Sequence, residues 1–271
     1  MTLTYARSII LLTVLVMLIF VLAAIGRQEL SWASWQPATC MPSGCFCEEI
    51  HQDVIKQPAN AWSSLSFVVV GLFVLLMRPR PNAYSLVPSP IVTSTSYRVT
   101  YAAALIMVGL GSAFYHASLT LVGQVVDVSG MYLIATFAIL YGVFRYKKTP
   151  SGSFVSCYIC ANAILLAFQV EVPALRRYLF AILIIGVLVI ERRTRAALKS
   201  TMDTRHLKHA TIALAIGFGV WLLDITKVAC SPSSLFQGHA LWHVAGALAS
   251  YCLFAYYASE VVAKEVKPTG I

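Results

Sequence analysis

Eight long runs of apolar residues, joined by mostly short connections, constrain this chain more than any other feature of its sequence. An α-helix needs about 20 such residues to cross roughly 30 Å of hydrocarbon. Runs that are apolar on every side show little periodicity, so we identify them by length. These runs predict an all-α membrane protein. They cover approximately residues 8–25, 61–77, 98–116, 124–144, 153–170, 174–191, 208–224 and 239–258.

The arrangement of the runs predicts one helical bundle without a soluble domain, because short connections favour antiparallel neighbours. The first run follows a short charged start, as in a signal peptide, but it is long for the apolar part of one. We interpret it as an uncleaved helix. The predicted fold is a seven-transmembrane helical bundle plus one extra N-terminal transmembrane helix. Its parts are residues 1–60 (N-terminal helix and outer loop), 61–260 (core) and 261–271 (cytoplasmic tail).

Composition and charge agree with a membrane protein. Hydrophobic residues make up 59% of the chain and charged residues 11%, which is outside the usual range of soluble domains. The formal net charge of +9 would suit a nucleic-acid partner. However, the basic residues alternate with the spans and collect in every second loop and at both termini. The positive-inside rule therefore predicts that both termini are cytoplasmic. Arg176 and Arg177 are the main exception.

The remaining loops are then predicted to face the periplasm, the cell exterior or an organelle lumen. Four of the seven cysteines, Cys40, Cys45, Cys47 and Cys230, lie in these loops. An oxidising compartment favours disulfides there, and the sequence leaves their pairing open. The spacing in CMPSGCFC also suggests a metal knuckle. We rank the knuckle below disulfides because no second cysteine pair lies nearby.

Polar and ionisable side chains concentrate at the outer ends of three spans. Ser112 and His116 are four residues apart and share a helix face near the end of one span, and Asp127 lies near the start of the next. His239 and His243 have the same spacing at the start of the last span. Burying a charged side chain in hydrocarbon costs roughly 2.5–3.5 kcal/mol, so we expect these groups to satisfy one another.

A metal ion would compensate the buried polar side chains at the outer ends of these spans. Three neutral imidazoles, here His116, His239 and His243, are a ligand set of catalytic zinc, which keeps a fourth position for water and lowers the pKa of that water to roughly 7. Asp127 would then be a general base, and Ser112 would orient a carbonyl or donate to the developing oxyanion. The alternative is a hydrogen-bonded cluster without metal, which is the commoner meaning of an isolated His-x3-His pair.

The segments GSAFYHASL, QVVDVSGMY and GHALWH together resemble the alkaline ceramidases. They also resemble the wider superfamily of seven-span membrane hydrolases that includes the adiponectin-receptor-like proteins. The similarity covers roughly residues 45–258. It implies a zinc amidase site with two catalytic residues and three metal ligands. These roles fall on Ser112 and Asp127 (catalytic) and on His116, His239 and His243 (zinc).

The segment CFCEEIHQDVIKQPANAWSSLSFVVVGL extends the similarity upstream, to a part of the family in which acidic residues bind calcium. Glu48 and Glu49 match this pattern. Asn60 stands where the family has an acid, and Cys45 and Phe46 replace an Asp-Trp pair. Calcium needs several oxygen ligands, usually including two or more carboxylates. Calcium is therefore a weaker expectation than zinc.

The resemblance implies hydrolysis of ceramide, or a similar lipid amide, to a sphingoid base and a free fatty acid. The expected partners are the lipid substrate and the bilayer, without nucleic acid or an obligatory protein partner. The active site of this integral, multi-pass protein would face the periplasmic, extracellular or lumenal side. The alternatives are an adiponectin-receptor-like zinc protein, a hydrolase of another lipid, and a transporter. Polar residues clustered at one end, with Asn162 and Asp224 as exceptions, disfavour the transporter.

Overall fold

A computed structural model describes residues 32–41, 44–77, 89–147, 149, 151–198 and 201–261. In these ranges the chain contains seven helices of 18 or more residues and no strand. The helices are α1 (Pro58–Leu76), α2 (Thr95–Ser118), α3 (Leu121–Tyr146), α4 (Phe154–Glu171), α5 (Arg176–Leu198), α6 (Thr204–Ile225) and α7 (Gly238–Ala258). Single helical turns occur at Trp32–Ser34, Pro90–Thr93, Ser151–Ser153 and Pro173–Leu175.

The prediction of an all-helical fold is confirmed for the described residues, and the helices fit a multi-pass membrane protein. Five helices, α1 to α4 and α6, are long and apolar enough to cross a membrane. The other two are of similar length; α5 carries arginines in its last turns, and α7 begins with two histidines. The predicted span 8–25 lies outside the described residues. The count of seven helices plus one, and the division into residues 1–60, 61–260 and 261–271, therefore stay predictions.

Close contacts between helices build the bundle. Helix α2 packs between α1 and α3, and α7 packs between α1 and α6. Small residues let α1 and α2 approach closely, because a Cβ on Gly109 would lie 2.6 Å from Val68 Cγ2 and 3.0 Å from the Ser64 carbonyl oxygen. Helix interfaces in membranes commonly use small residues in this way. The contact brings the start of α1 beside the end of α2.

A two-residue turn joins α2 to α3. Leu119 ends α2 in the left-handed region, with φ of 49°. Thr120 caps α3, since its side chain accepts a hydrogen bond from the Gly123 N–H at 3.1 Å. The turn makes α2 and α3 antiparallel neighbours. The end of α2 that carries His116 therefore lies beside the start of α3, which carries Asp127.

The surface and the interior suit a bilayer. A cluster of buried aromatic side chains, including Tyr101, Phe137 and Phe154, fills the middle of the bundle. Helices α4, α5 and α6 expose many apolar side chains, such as Ile182 and Ile216. An apolar surface of this extent is typical of a membrane-facing region.

Arg176, an exception to the charge pattern of the loops, is buried at the start of α5. Its side chain donates hydrogen bonds to the Gln124 side chain at 3.0 Å and to the Gln169 carbonyl at 3.2 Å. The guanidinium thereby joins α5 to α3 and α4. Arg176 therefore acts inside the bundle and is not a loop charge.

Candidate functional site

Three histidines from two helices converge where the end of α2 meets the start of α7. His116, His239 and His243 form what we call the triad, and all three are buried. One ring nitrogen from each lies within 4.8 Å of the other two. Within the described ranges, this is the only group of three or more His, Cys, Asp or Glu side chains arranged to hold a metal ion.

The triad fits a metal ion. The Nε2 atoms of His116 and His239 are 3.1 Å apart. Two nitrogens bound tetrahedrally to zinc at about 2.0–2.1 Å are roughly 3.3 Å from each other, so the spacing is suitable. Neutral imidazoles offer one lone pair each, and three lone pairs directed at one point are stabilised by a cation between them. The cluster is able to hold a metal ion and is compatible with zinc.

Hydrogen bonds orient two of the three rings. His116 Nδ1 lies 3.0 Å from Gln57 Oε1. Because that oxygen only accepts, the ring donates from Nδ1 and keeps the lone pair on Nε2. His243 Nδ1 lies 2.9 Å from Ser63 Oγ and 3.2 Å from Ser64 Oγ. Both hydroxyls donate to a main-chain carbonyl of α1, so they accept from Nδ1. Partners of this kind typically orient metal-ligating histidines.

His239 is held by different contacts. Its ring stacks on Phe46, with centroids 3.9 Å apart. Its main-chain N–H donates to Asp224 Oδ2 at 3.0 Å. The buried Nδ1 atom has no hydrogen-bond partner among the described residues. Packing and the main chain therefore position this ring.

The predicted catalytic residues, Ser112 and Asp127, lie beside the triad. Ser112 Oγ is 3.3 Å from His243 Nε2. The Ser112 hydroxyl also interacts with the Asp127 carboxylate. Asp127 is partly accessible, in the second turn of α3, and does not belong to the group of converging ligand atoms. All five predicted side chains thus lie at one end of the bundle, which we call the site end.

Two disulfides restrain residues 44–57, which we call the covering segment. They are Cys40–Cys45 and Cys47–Cys230. The expectation that these four cysteines form disulfides is confirmed, and the metal-knuckle alternative is wrong because their sulfur atoms are bonded to each other. Phe46 lies between the two disulfides, so both restrain the ring that packs on the triad.

The family model described as Ceramidase matches residues 44–269, which is most of the chain. The chain belongs to the ceramidase family. Alkaline ceramidase 1 of Mus musculus is 25% identical over 204 residues, which are 72% of this chain and 70% of that protein. A Dictyostelium discoideum protein described as putative alkaline ceramidase dcd3A is 25% identical over 171 residues, which are 55% of this chain and 59% of that protein. The resemblance inferred from the three segments is thereby confirmed.

The two acids that match the calcium-binding segment of ceramidases have separate environments. Glu48 is buried, and its oxygens accept hydrogen bonds from the Ala59 and Asn60 N–H groups at 2.6 and 2.9 Å, which caps α1. Burial raises the pKa of the Glu48 carboxyl, although these two hydrogen bonds lower it. Glu49 is exposed. One carboxylate caps a helix and the other faces outward, so these residues fit calcium poorly.

Several side chains that support the triad have only weak signals in the sequence. Ser63 and Ser64 are a polar pair in an apolar span, which suggests buried partners without identifying them. Asp224 is conspicuous as an acid in another span. Gln57 and Phe46 are single loop residues without a distinguishing pattern. The sequence therefore identifies the three converging histidines more readily than the residues that hold them.

Proposed function

We propose that the chain is a membrane-embedded, zinc-dependent amidase that hydrolyses ceramide, or a similar lipid amide, to a sphingoid base and a free fatty acid. The convergence of three histidine nitrogens within 4.8 Å is the observation that carries the proposal. It occurs beside Ser112 and Asp127 in a chain of the ceramidase family. That family supports a hydrolase of amide bonds, and the mouse relative is a ceramidase by name.

The triad would hold the metal through its Nε2 atoms. Zinc bound in this way supplies a Lewis acid and lowers the pKa of a water molecule to about 7. Gln57, Ser63 and Ser64 hold the Nδ1 sides of two rings, which keeps the Nε2 lone pairs directed at the centre. These contacts account for the polar residues at the start of α1.

Asp127 and Ser112 would carry out proton transfer and charge stabilisation. The oxygen of the attacking water bonds to the amide carbonyl carbon, and the Asp127 carboxylate accepts a proton from that water. Negative charge grows on the carbonyl oxygen, to which the Ser112 hydroxyl donates. Asp127 then returns the proton to the amide nitrogen as the C–N bond breaks. The products are a fatty acid and a free amine.

The site end would face the periplasm, the cell exterior or an organelle lumen. Basic residues follow α3 at the opposite end, which supports a cytoplasmic location for that end and for both termini. The disulfides at the site end suit an oxidising compartment. In this arrangement residues 61–260 form the hydrolase core, preceded by the helix and outer loop of 1–60 and followed by the tail 261–271.

The purified full-length protein should be incubated separately with ceramide, an N-acylethanolamine and a phospholipid, each with and without a chelator. We expect equal amounts of fatty acid and sphingoid base from ceramide. The release should stop with chelator and resume when zinc is added. His243→Ala should be inactive, whereas His206→Ala, a control outside the triad at the start of α6, should be active. Hydrolysis of phospholipid alone, or hydrolysis that chelation does not affect, would contradict the proposal.

A further inference from the structure

Asp224 is a fully buried acid in the last turn of α6. Each of its carboxylate oxygens accepts a hydrogen bond from a different part of the main chain. Oδ1 accepts from the Cys47 N–H at 2.9 Å, and Oδ2 accepts from the His239 N–H at 3.0 Å. Cys47 belongs to the covering segment and is bonded to Cys230. One carboxylate thus connects a disulfide-restrained loop to the first turn of α7.

The start of α7 requires an external hydrogen-bond acceptor. The first N–H groups of a helix have no partner inside it. The N-cap residue, Gln237, makes no capping hydrogen bond with its side chain. Asp224 supplies the acceptor from the neighbouring helix, at a helix end where negative charge is favoured. A Cβ on Gly238 would lie only 2.9 Å from Asp224 Cβ, so the two helices touch at this point.

The same loop also holds the His239 ring. Phe46, which precedes Cys47, stacks on that ring with centroids 3.9 Å apart. The Cys230 Sγ lies 3.7 Å from the Cys47 carbonyl oxygen, so the covering segment and the loop before α7 are in contact. Asp224 holds the His239 main chain, and Phe46 holds its ring. Because Nδ1 makes no hydrogen bond among the described residues, these contacts replace the partners that orient the other two histidines.

We propose that Asp224 is a positioning residue of the metal centre. It holds His239 by linking it to the Cys47–Cys230 disulfide, so metal retention depends on the carboxylate and the disulfide together. The inference rests on the proposed function, because it takes the triad as the metal ligands. Loss of residues that hold metal ligands typically weakens metal binding about 10- to 100-fold.

The rate at which the full-length protein loses zinc to excess chelator tests this role. Asp224→Asn preserves the shape of the side chain but directs an NH₂ group at a main-chain N–H, so one of the two hydrogen bonds is lost. We expect zinc loss about tenfold faster than in the wild type. The matched control is Asp203→Asn, which alters the cap at the opposite end of the same helix. The control should lose zinc at the wild-type rate.

A second readout separates positioning from simple stabilisation. If Asp224 only stabilises the fold, Asp224→Asn will lower the melting temperature and leave zinc loss unchanged, which would overturn the inference. Cobalt substituted for zinc reports ligand geometry through its visible absorption bands. These bands should shift in Asp224→Asn and stay unchanged in Asp203→Asn. A wild-type protein that binds no zinc would instead overturn the proposed function.

Removing the disulfide tests the same connection without changing the carboxylate. The paired variant Cys47→Ala with Cys230→Ala should also lose zinc faster than the wild type. When Asp224→Asn is added to this pair, the rate of zinc loss should rise by less than the product of the two separate fold-increases. The reason is that the carboxylate and the disulfide hold His239 through the same contact. Unchanged zinc loss in the paired variant, or fully multiplicative effects, would overturn the coupling. The paired cysteine variant by itself still tests the inference if Asp224→Asn does not fold.

Discussion

Both ends of the helical bundle bury ionisable side chains, but they combine them in opposite ways. At the site end, the triad directs three ring nitrogens of the same kind toward one point, within 4.8 Å of one another. At the other end, Arg145 of α3 lies next to Glu260 and 3.7 Å from Glu191 of α5. We call Arg145, Glu191 and Glu260 the ion-pair cluster. It combines groups of opposite sign.

The protein supplies partners of opposite charge for the ion-pair cluster, although Arg145 Nε and Nη1, Glu191 Oε2 and Glu260 Oε2 are buried without a hydrogen bond among the described residues. The Arg145 guanidinium lies 5.3 Å from the ring centre of Tyr141 and 5.7 Å from that of Tyr257. The Tyr256 hydroxyl donates a hydrogen bond to Glu191. These contacts join α3, α5 and the end of α7. The cluster therefore has the features of a structural connection between helices.

In the triad the converging atoms are all ring nitrogens, and none of them belongs to a group of opposite charge. Nitrogen lone pairs that face one another repel, and an added cation turns that repulsion into attraction. Burial is similar at the two ends, so burial alone does not distinguish them. The two ends differ in the kind of atoms that converge. Several acceptors of the same kind indicate a binding site for a cation, whereas groups of opposite charge indicate a structural contact between helices.

The largest effect is expected at Asp127, the acid that lies beside the triad but is not among its converging atoms. Asp127→Asn should lower kcat by about 10²- to 10⁴-fold, because an amide cannot accept the proton of the attacking water. Zinc content should not change. Ceramide turnover and metal analysis on one preparation check both points. Full turnover would remove Asp127 from the mechanism, and loss of zinc would make it a ligand.

At the opposite end, Arg145→Met should lower the free energy of unfolding by about 3–5 kcal/mol, because it leaves two carboxylates buried without a cation. Zinc per folded chain and turnover of the folded fraction should equal the wild-type values. Denaturant unfolding followed by metal analysis measures both. Arg205→Met, which removes an exposed ion pair, is the control and should leave stability unchanged. Zinc loss from folded Arg145→Met would show that the two ends are coupled.

Ser112→Ala should lower kcat by about 10²- to 10³-fold while zinc stays bound, because a donor to the developing oxyanion is lost. Ser250→Ala on α7 is a suitable control, since that hydroxyl donates to the Gly246 carbonyl of its own helix and lies outside the triad. Steady-state kinetics with ceramide separate kcat from KM. If Ser112→Ala raised KM alone, Ser112 would bind substrate without stabilising charge.

The smallest effect is expected at Gln57, which accepts the hydrogen bond from His116. Gln57→Leu should weaken zinc binding about tenfold, since the ring loses its orienting partner. Competition with a chelator of known affinity measures the change. Unaltered affinity would show that packing against rings such as Phe46 is sufficient to orient His116.

Much of the fold could be predicted because membrane thickness dictates the length of apolar runs. The run at 208–224, for example, became α6 at Thr204–Ile225. Boundaries differ by a few residues because caps such as Asp203 are polar and escape a search for apolar runs. The predicted span at 8–25 lies outside the described residues, and the count of seven helices plus one stays a prediction.

The convergence of the three histidines could be predicted from the sequence, and the residues that hold them could not. Residues four apart share a helix face whatever the tertiary structure, so the spacing of His239 and His243 alone predicts that their rings lie close together. By contrast, Gln57 reaches His116 because the covering segment folds along the end of α2, with the Gln57 N–H bonded to the His116 carbonyl. The Cys47–Cys230 disulfide joins residues 183 positions apart. Such contacts depend on the completed fold.

Zinc content of the purified protein tests the central claim most directly. The wild type, prepared without added metal, should contain about one zinc per chain, as expected for one three-histidine site. His239→Ala should contain almost none, and Arg145→Met should match the wild type for each folded chain. A wild type without zinc, or a His239→Ala protein with as much zinc as the wild type, would contradict the account.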